Sequence, residues 1–141
     1  MHGDDLPRTP AVVGPAEGRV YDMGRMRAVF FADGAQTGGR CSVSEWSLDA
    51  RSRGPGTHQH DDEHVFHVLA GTLSVILDGV RREVPAGGSA LIPGGTPHDF
   101  ENRGRECCRF LVINVPGGFE AMMPSLVEWF AENPLGDVSD D

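Results

Sequence analysis

Turn-forming residues divide this chain into short apolar segments. The sequence has 19 glycines and 10 prolines among 141 residues, and many of them fall between runs of β-branched and aromatic residues. Short runs of this kind are typical of β-strands, and turns at this spacing are typical of a closed barrel or a double-sheet jelly roll. We therefore predict an all-β fold. The predicted strands are 26–32, 41–48, 64–71, 72–79, 81–84, 89–93, 98–102 and 107–115.

The pattern changes after the glycine pair at 117 and 118. Apolar residues recur at helical spacing in FEAMMPSLVEWFAE (119–132), and Pro124 interrupts them. Proline removes a backbone donor and breaks the interior of a helix. The sequence therefore predicts a short C-terminal helical segment over 119–133, either broken once or divided into two short helices.

The two ends of the chain differ from the middle. Residues 1–16 carry acids, proline and glycine, which is typical of a flexible arm, and residues 134–141 form an acidic tail. The β-domain is then expected over 17–118, followed by the helix. No linker, repeat or low-complexity segment divides this middle part.

Charge excludes several classes of function. The formal net charge is −9, with 21 acidic residues against 12 basic ones. Such a chain repels nucleic acids and anionic membranes, so we expect neither as a partner. All the basic residues are arginine, which excludes Schiff-base chemistry through lysine.

The cysteines and the first residues bear on the compartment. Cys41, Cys107 and Cys108 are odd in number and form no CxxC pattern, so no disulfide framework is expected. The opening segment MHGDDLPRTP lacks the basic start and apolar stretch of a signal peptide. We therefore expect a cytoplasmic protein with reduced cysteines.

Four of the six histidines lie within positions 58–67. On a strand, residues two apart point to the same face. His58 and His60 therefore project together, and His64 shares their parity if the chain is extended there. His67 has the opposite parity, so the spacing offers three histidines to one face and leaves His67 to structural packing on the other.

A second segment, GGSALIPGGTPHDFEN (87–102), adds a further histidine. His98 opens a strand directly after a Pro/Gly turn, with Phe100 and Asn102 on its face. A single HxH pair is usually solvated surface. Its combination with this second segment points instead to a metal site.

Together the two segments resemble the paired motifs of the cupin family, and the resemblance covers roughly residues 40–118. The second motif is complete here, and the first keeps its HxH pair and its closing glycine. The matching residues are Gly87, Pro93, Gly95, His98 and Asn102 in the second motif, and His58, His60 and Gly71 in the first. The resemblance implies the cupin double-stranded β-helix, a jelly-roll barrel or sandwich.

One position departs from the family pattern. Cupins usually carry a glutamate where this chain has His64, with Glu63 beside it. A one-residue slip that restored Glu63 as the ligand would turn it to the other face. The resemblance then implies a metal site of four histidines, with Glu63 in place of His64 as the alternative. The four predicted ligands are His58, His60, His64 and His98.

Four neutral imidazoles place no negative charge on a metal ion. A bound divalent ion would keep its full charge, which strengthens it as a Lewis acid and makes its oxidation harder. Imidazole suits several metals. We therefore expect one divalent ion, with Zn²⁺ favoured and Fe, Ni, Cu or Mn as alternatives.

The resemblance extends to the single-domain, four-histidine cupins among the bacterial aromatic polyketide cyclases, of the resistomycin-pathway type. It implies a lyase-type cyclase of antibiotic biosynthesis, in which the metal promotes aldol-type ring closure and aromatisation of a poly-β-ketone. A quercetinase-like dioxygenase and a non-catalytic small-molecule-binding cupin are the alternatives. A sugar isomerase or epimerase is less favoured, because its pocket needs charged residues and these strands are apolar.

The cyclase interpretation requires a base and an apolar pocket. The base candidates are metal-bound hydroxide, Asp62, Glu63, Glu45 and Asp61. The predicted pocket residues are Trp46, Phe66, Leu77, Phe100 and Phe110. The expected ligand is a small apolar or aromatic molecule. By resemblance we also expect a homodimer that pairs through outer sheet edges and so covers them.

Overall fold

The computed structural model describes residue 8 and residues 10–139. Residues 1–7 and 9 of the predicted N-terminal arm, 1–16, lie outside the described residues. Within them the chain forms nine strands, one turn of 3-10 helix and one α-helix. The strands are β1 (Arg19–Asp22), β2 (Met26–Ala32), β3 (Ser42–Leu48), β4 (Glu63–Ala70), β5 (Thr72–Leu77), β6 (Val80–Pro85), β7 (Ser89–Ile92), β8 (His98–Glu101) and β9 (Cys108–Val115).

The strands form two antiparallel sheets. One has six strands in the order β1-β2-β3-β9-β4-β7, and the other has three in the order β6-β5-β8. Their inner faces share one apolar core. The predicted all-β jelly roll is confirmed. Of its two predicted forms, barrel or sandwich, the chain has the two-sheet sandwich, because no ladder among the described residues joins the sheets into a closed barrel.

Alternation along the strands decides which side chains enter the core. In β3, Ser42, Ser44, Trp46 and Leu48 are buried while the residues between them are partly exposed. Neighbouring β9 repeats this pattern, and its Phe110 is fully buried. Burying a side chain of this size contributes about 1.5–3 kcal/mol. The alternation of apolar and polar residues that predicts the strands therefore also decides which side chains point to the inner face of the sandwich.

The helical segment begins directly after the last strand. A 3-10 turn, Phe119–Met122, leads into α1, Met123–Glu132. Pro124 lies in the first turn of α1, where its missing N–H removes no helical hydrogen bond. Pro124, which was predicted to interrupt the helix, therefore lies at its start. Phe130 packs α1 against the core. Among the described residues, no helix is long and apolar enough to cross a membrane.

The C-terminal segment packs on the domain over its described part, although the sequence predicts an acidic tail there. Leu135 and Val138 are buried. The Val138 N–H donates to the Arg51 carbonyl at 3.0 Å, and the Arg25 guanidinium binds the Asp137 carboxylate at 2.7 Å. Two apolar residues and paired charges thus hold a segment whose composition suggests fraying.

Candidate metal centre and cavity

The two motif segments meet through a short backbone bridge. His58 precedes β4 and His98 opens β8. The His58 N–H donates to the His98 carbonyl at 2.9 Å, and the His98 N–H donates back to the His58 carbonyl at 2.8 Å. This exchange brings residues forty positions apart side by side.

The turn before β8 lies directly against the first motif. Gly95 has a φ of +80°, and its N–H donates to the His60 carbonyl at 2.7 Å. A Cβ on neighbouring Gly94 would lie 2.2 Å from the Asp61 carbonyl oxygen. Only glycine allows this close approach of two backbones, so the turn fixes the distance between His98 and the HxH pair.

All four predicted ligands lie in one cluster. The shortest ring-centroid distance is 4.3 Å, between His58 and His98. His60 lies 4.8 Å from His58 and 4.7 Å from His64, and His64 lies 5.4 Å from His98. Two sets of three residues could each hold a metal ion, because the ligand atoms within each set lie within 4.8 Å of one another. His60 belongs to both sets. The sets are His58, His60 and His98, and His60, Asp62 and His64.

Backbone carbonyls fix the orientation of two imidazoles. His58 Nδ1 lies 2.6 Å from the Gly56 carbonyl oxygen, and His98 Nδ1 lies 2.8 Å from that of Thr96. Because a carbonyl only accepts, each Nδ1 carries the hydrogen and each Nε2 keeps its lone pair. His98 Nε2 is buried and has no hydrogen-bond partner among the described residues. Such a nitrogen fits a metal ligand held through its other ring atom.

Burial favours the neutral form of His60, His64 and His98. Desolvation, reinforced by the neighbouring histidines, lowers the pKa of His60 from 6.5 to about 4. Desolvation is also the largest cause that lowers the pKa of His64, where the Asp62 carboxylate acts in the opposite direction. The pKa of His98 is lowered mainly by burial. Neutral imidazole is the form that binds metal, so the cluster can hold a divalent ion at neutral pH.

His67 is outside the cluster. Its Nδ1 lies 2.7 Å from the Ser89 hydroxyl, between β4 and β7. The strand alternation places buried His64, Phe66 and Val68 on the inner face and His67 on the outer one. Glu63, the alternative ligand, is exposed at the start of β4.

An apolar cavity of about 320 Å³ opens beside the histidines. Four of the five predicted pocket residues line it: Trp46, Phe66, Phe100 and Phe110. The fifth, Leu77, does not line it and packs against the core instead. Sequence reasoning missed Asn114, a buried polar residue on β9, because a single asparagine in an apolar run carries no signal of its own.

The helical segment forms another wall of the cavity. Phe119 lies edge-on to His60 and His64, with ring centroids 5.3 and 5.8 Å away, and 6.3 Å from Trp46. Met122, Leu126, Trp129 and Phe130 continue this wall. The cavity therefore has imidazoles at one side and aromatic or aliphatic side chains around the rest.

The base candidates occupy different environments. Glu45 lies on the outer face of β3, where it pairs with Arg109 at 3.4 Å, and it is removed from the candidates. Asp61 and Glu63 are exposed to solvent. Asp62 is half-buried and its Oδ2 lies 3.8 Å from His64 Nδ1. It does not line the cavity, and its carboxylate lies on the Nδ1 side of the His64 imidazole.

A sandwich whose inner face carries a histidine cluster lining an apolar cavity is the arrangement of a cupin-type site. Residues 44–114, half of the chain, match the cupin domain family. The chain therefore belongs to the cupin family. No curated protein matches the sequence significantly.

Several solved structures share the fold. KdgF from Halomonas sp. is 17% identical with a TM-score of 0.69, over 80% of this chain and 99% of that one. The polyketide cyclase RemF from Streptomyces resistomycificus is 21% identical with a TM-score of 0.67, over 94% of this chain and 89% of that one. A predicted oxalate decarboxylase from Thermotoga maritima is 18% identical with a TM-score of 0.67, over 75% and 99%. These likenesses show the fold alone.

Proposed function

We propose that this protein is a metal-dependent polyketide cyclase of antibiotic or other secondary-metabolite biosynthesis. Its reaction would be aldol-type ring closure and aromatisation of an enolisable poly-β-ketone. The observation that carries the proposal is the convergence of four imidazoles on one side of an otherwise apolar, aromatic cavity. The fold likeness to the cyclase RemF, over 94% of this chain, supports it.

The histidines would hold one divalent ion, with Zn²⁺ favoured. Such an ion supplies Lewis acidity that stabilises negative charge developing on a substrate carbonyl. The chain contributes neutral ligands, because burial lowers the pKa values of His60, His64 and His98. It also fixes the direction of His58 and His98 through the carbonyl bonds at their Nδ1 atoms.

The aromatic walls bind and orient the substrate. Phe66, Phe100 and Phe110 form a mutually packed group with centroids 5.3–5.7 Å apart, and Phe119 lines the same cavity from the helical segment. The volume is at the lower end of the roughly 300–1,000 Å³ of ligand pockets, so it suits a compact, folded segment. Holding a flexible chain with its reacting carbons together removes much of the entropic barrier to ring closure.

The same walls would limit the access of water to the reacting segment. Apolar side chains line the cavity almost completely, and Asn114 and Gln59 are its few polar neighbours besides the histidines. A dry site strengthens electrostatic stabilisation of an enolate. It also disfavours hydrolysis of a reactive poly-β-ketone.

A quercetinase-like dioxygenase is the second candidate. The specific observation in its favour is the set of His60, Asp62 and His64, which brings a carboxylate within reach of two imidazoles. A carboxylate near the metal would ease oxidation of the ion. This candidate predicts a redox-active metal and consumption of O₂ with a flavonol or diketone.

Metal content and anaerobic turnover distinguish the two candidates. The protein is purified without added metal, and metal per chain is measured by elemental analysis. For a cyclase we expect about one zinc per chain and the appearance of aromatic absorbance from a synthetic poly-β-ketone without O₂, abolished in His98→Ala. Stoichiometric O₂ uptake with one redox metal per chain would favour the dioxygenase. Ligand binding without any turnover would favour a binding module.

A further inference from the structure

We infer that Asp62 is a positioning residue that holds His64 from behind the metal centre, and that Asn114 holds Asp62 in place. The inference rests on the metal centre of the proposed function but not on the cyclisation reaction. In this arrangement the Asp62 carboxylate is an outer partner of His64. His64 itself stands where cupins usually carry a glutamate ligand.

The first argument is the unmet hydrogen-bonding capacity of His64. The residue is 4% exposed, and its Nδ1 has no hydrogen-bond partner among the described residues. The Asp62 carboxylate oxygen Oδ2 lies 3.8 Å from that nitrogen. This is longer than a hydrogen bond, and a shift of less than 1 Å closes it. A buried imidazole with one nitrogen in the cluster requires an acceptor at the other.

The second argument is a spacing shared by three of the ligands. His58 Nδ1 lies against the carbonyl of Gly56, and His98 Nδ1 against the carbonyl of Thr96, each two residues earlier. The residue two positions before His64 is Asp62. At this ligand too the backbone of the residue two positions earlier acts on the imidazole, and Asp62 adds a side-chain carboxylate that Gly56 and Thr96 lack.

The third argument is the fixed orientation of the carboxylate. Asn114 Nδ2 donates to Asp62 Oδ2 at 3.1 Å. Asn114 is 1% exposed and lies directly opposite His64 in the register of β4 and β9. Because a carboxylate only accepts, it selects the amide orientation that presents Nδ2. The same carboxylate oxygen of Asp62 therefore accepts from Asn114 and faces the His64 imidazole.

The chemical consequence concerns the metal. A carboxylate that accepts from Nδ1–H fixes the tautomer of His64 and makes its Nε2 a stronger ligand. It also places a negative charge near an ion that four neutral imidazoles leave fully charged. Loss of such an outer partner typically weakens metal binding by about 10–100-fold.

The test compares Asp62→Asn with Asp61→Asn, an exposed neighbour with the same charge change. Zn²⁺ affinity is measured by competition with a chelator, and the tautomer of His64 by ¹⁵N NMR of the imidazoles in the loaded full-length protein. We expect Asp62→Asn to weaken binding about 10–100-fold and to shift the His64 signals only. Asp61→Asn should change neither. Asn114→Leu should weaken binding in the same direction, and circular dichroism checks that each variant is folded.

Two results with Asp62→Asn, and one with the wild type, would overturn the inference. Equal affinity and an unchanged His64 tautomer in Asp62→Asn would show that the carboxylate has no role. Complete loss of metal, as in His64→Ala, would make Asp62 a direct ligand instead. A wild-type protein that binds zinc but forms no ring would refute the proposed function and leave this inference standing, whereas one that binds no metal overturns both.

Discussion

Glu120 and Ser42 are hydrogen-bonded to each other although 78 positions separate them in the sequence. The Ser42 hydroxyl donates to the carboxylate and accepts from the Gly118 N–H at 2.9 Å. The other carboxylate oxygen accepts from the Gly34 N–H at 3.2 Å. These bonds hold the 3-10 turn against the loop between β2 and β3, and so hold Phe119 over the histidines.

Removing this carboxylate should loosen the aromatic wall. We expect Glu120→Ala to lower the free energy of unfolding by about 1–3 kcal/mol, since it leaves the fully buried Ser42 hydroxyl without its acceptor. Binding of an aromatic probe in the cavity should weaken as Phe119 moves. Urea unfolding and a fluorescence titration measure the two effects. Glu128→Ala, on an exposed position of α1, is the control, and an equal effect there would contradict the prediction.

The inner-face histidines should bind the metal, and His67 on the outer face should not. We expect His64→Ala and His98→Ala to lose bound metal, because each removes a buried imidazole of the cluster. His67→Ala should retain it, since that imidazole bonds to Ser89 on the outer face. Metal per chain after dialysis is the measurement. Equal loss in His67→Ala would show that the strand-parity argument is wrong.

The metal-free protein should lose stability in acid. Burial holds the pKa of His60 at about 4, against 6.5 when unfolded, and lowers the pKa values of His64 and His98. Between these values the unfolded chain binds more protons, so the free energy of unfolding should fall as pH falls from about 6.5 through 4. Urea unfolding with chelator at several pH values measures it. His60→Gln should flatten the dependence, and an unchanged slope would contradict the assignment.

Asn102, the last residue of the second cupin motif, should matter for stability rather than for metal. Its Nδ2 lies within 3.1 Å of the carbonyl oxygens of Leu48, Asp49 and Glu106, and the residue is 1% exposed. We expect Asn102→Ala to cost about 1–3 kcal/mol, because buried carbonyls lose their donor. Zinc affinity should stay unchanged. A loss of affinity in a variant that remains folded would show a role at the metal centre.

The period-two pattern and the turns were sufficient to predict the all-β jelly roll. The histidine spacing grouped His58, His60 and His64, and the resemblance to the cupin motifs added His98. The contacts that support them were not predictable in the same way. Asp62 and Asn114 are 52 positions apart, and only the register of β4 against β9 brings them together. Leu77 was predicted to line the cavity and does not, for a related reason. Strand parity shows which face of the sheet a residue lies on, but not how far along the cavity it lies.

In place of the sheet edges expected from the resemblance, the outer face of the larger sheet should pair with a second copy of this chain. Val43, Ile113, Val65 and Leu91 lie in register across β3, β9, β4 and β7, and Leu91 is 61% exposed.

The other three residues of this outward-facing apolar row are partly exposed, and such a surface can form an interface. At its border Glu45 and Arg109 form an ion pair at 3.4 Å, so a two-fold copy meets little net charge there despite the −9 of the whole chain. We propose a homodimer through this face. Sedimentation should give twice the chain mass for the wild type and for Val80→Ser on the smaller sheet, but the monomer mass for Leu91→Asp. A monomeric wild type would refute the proposal.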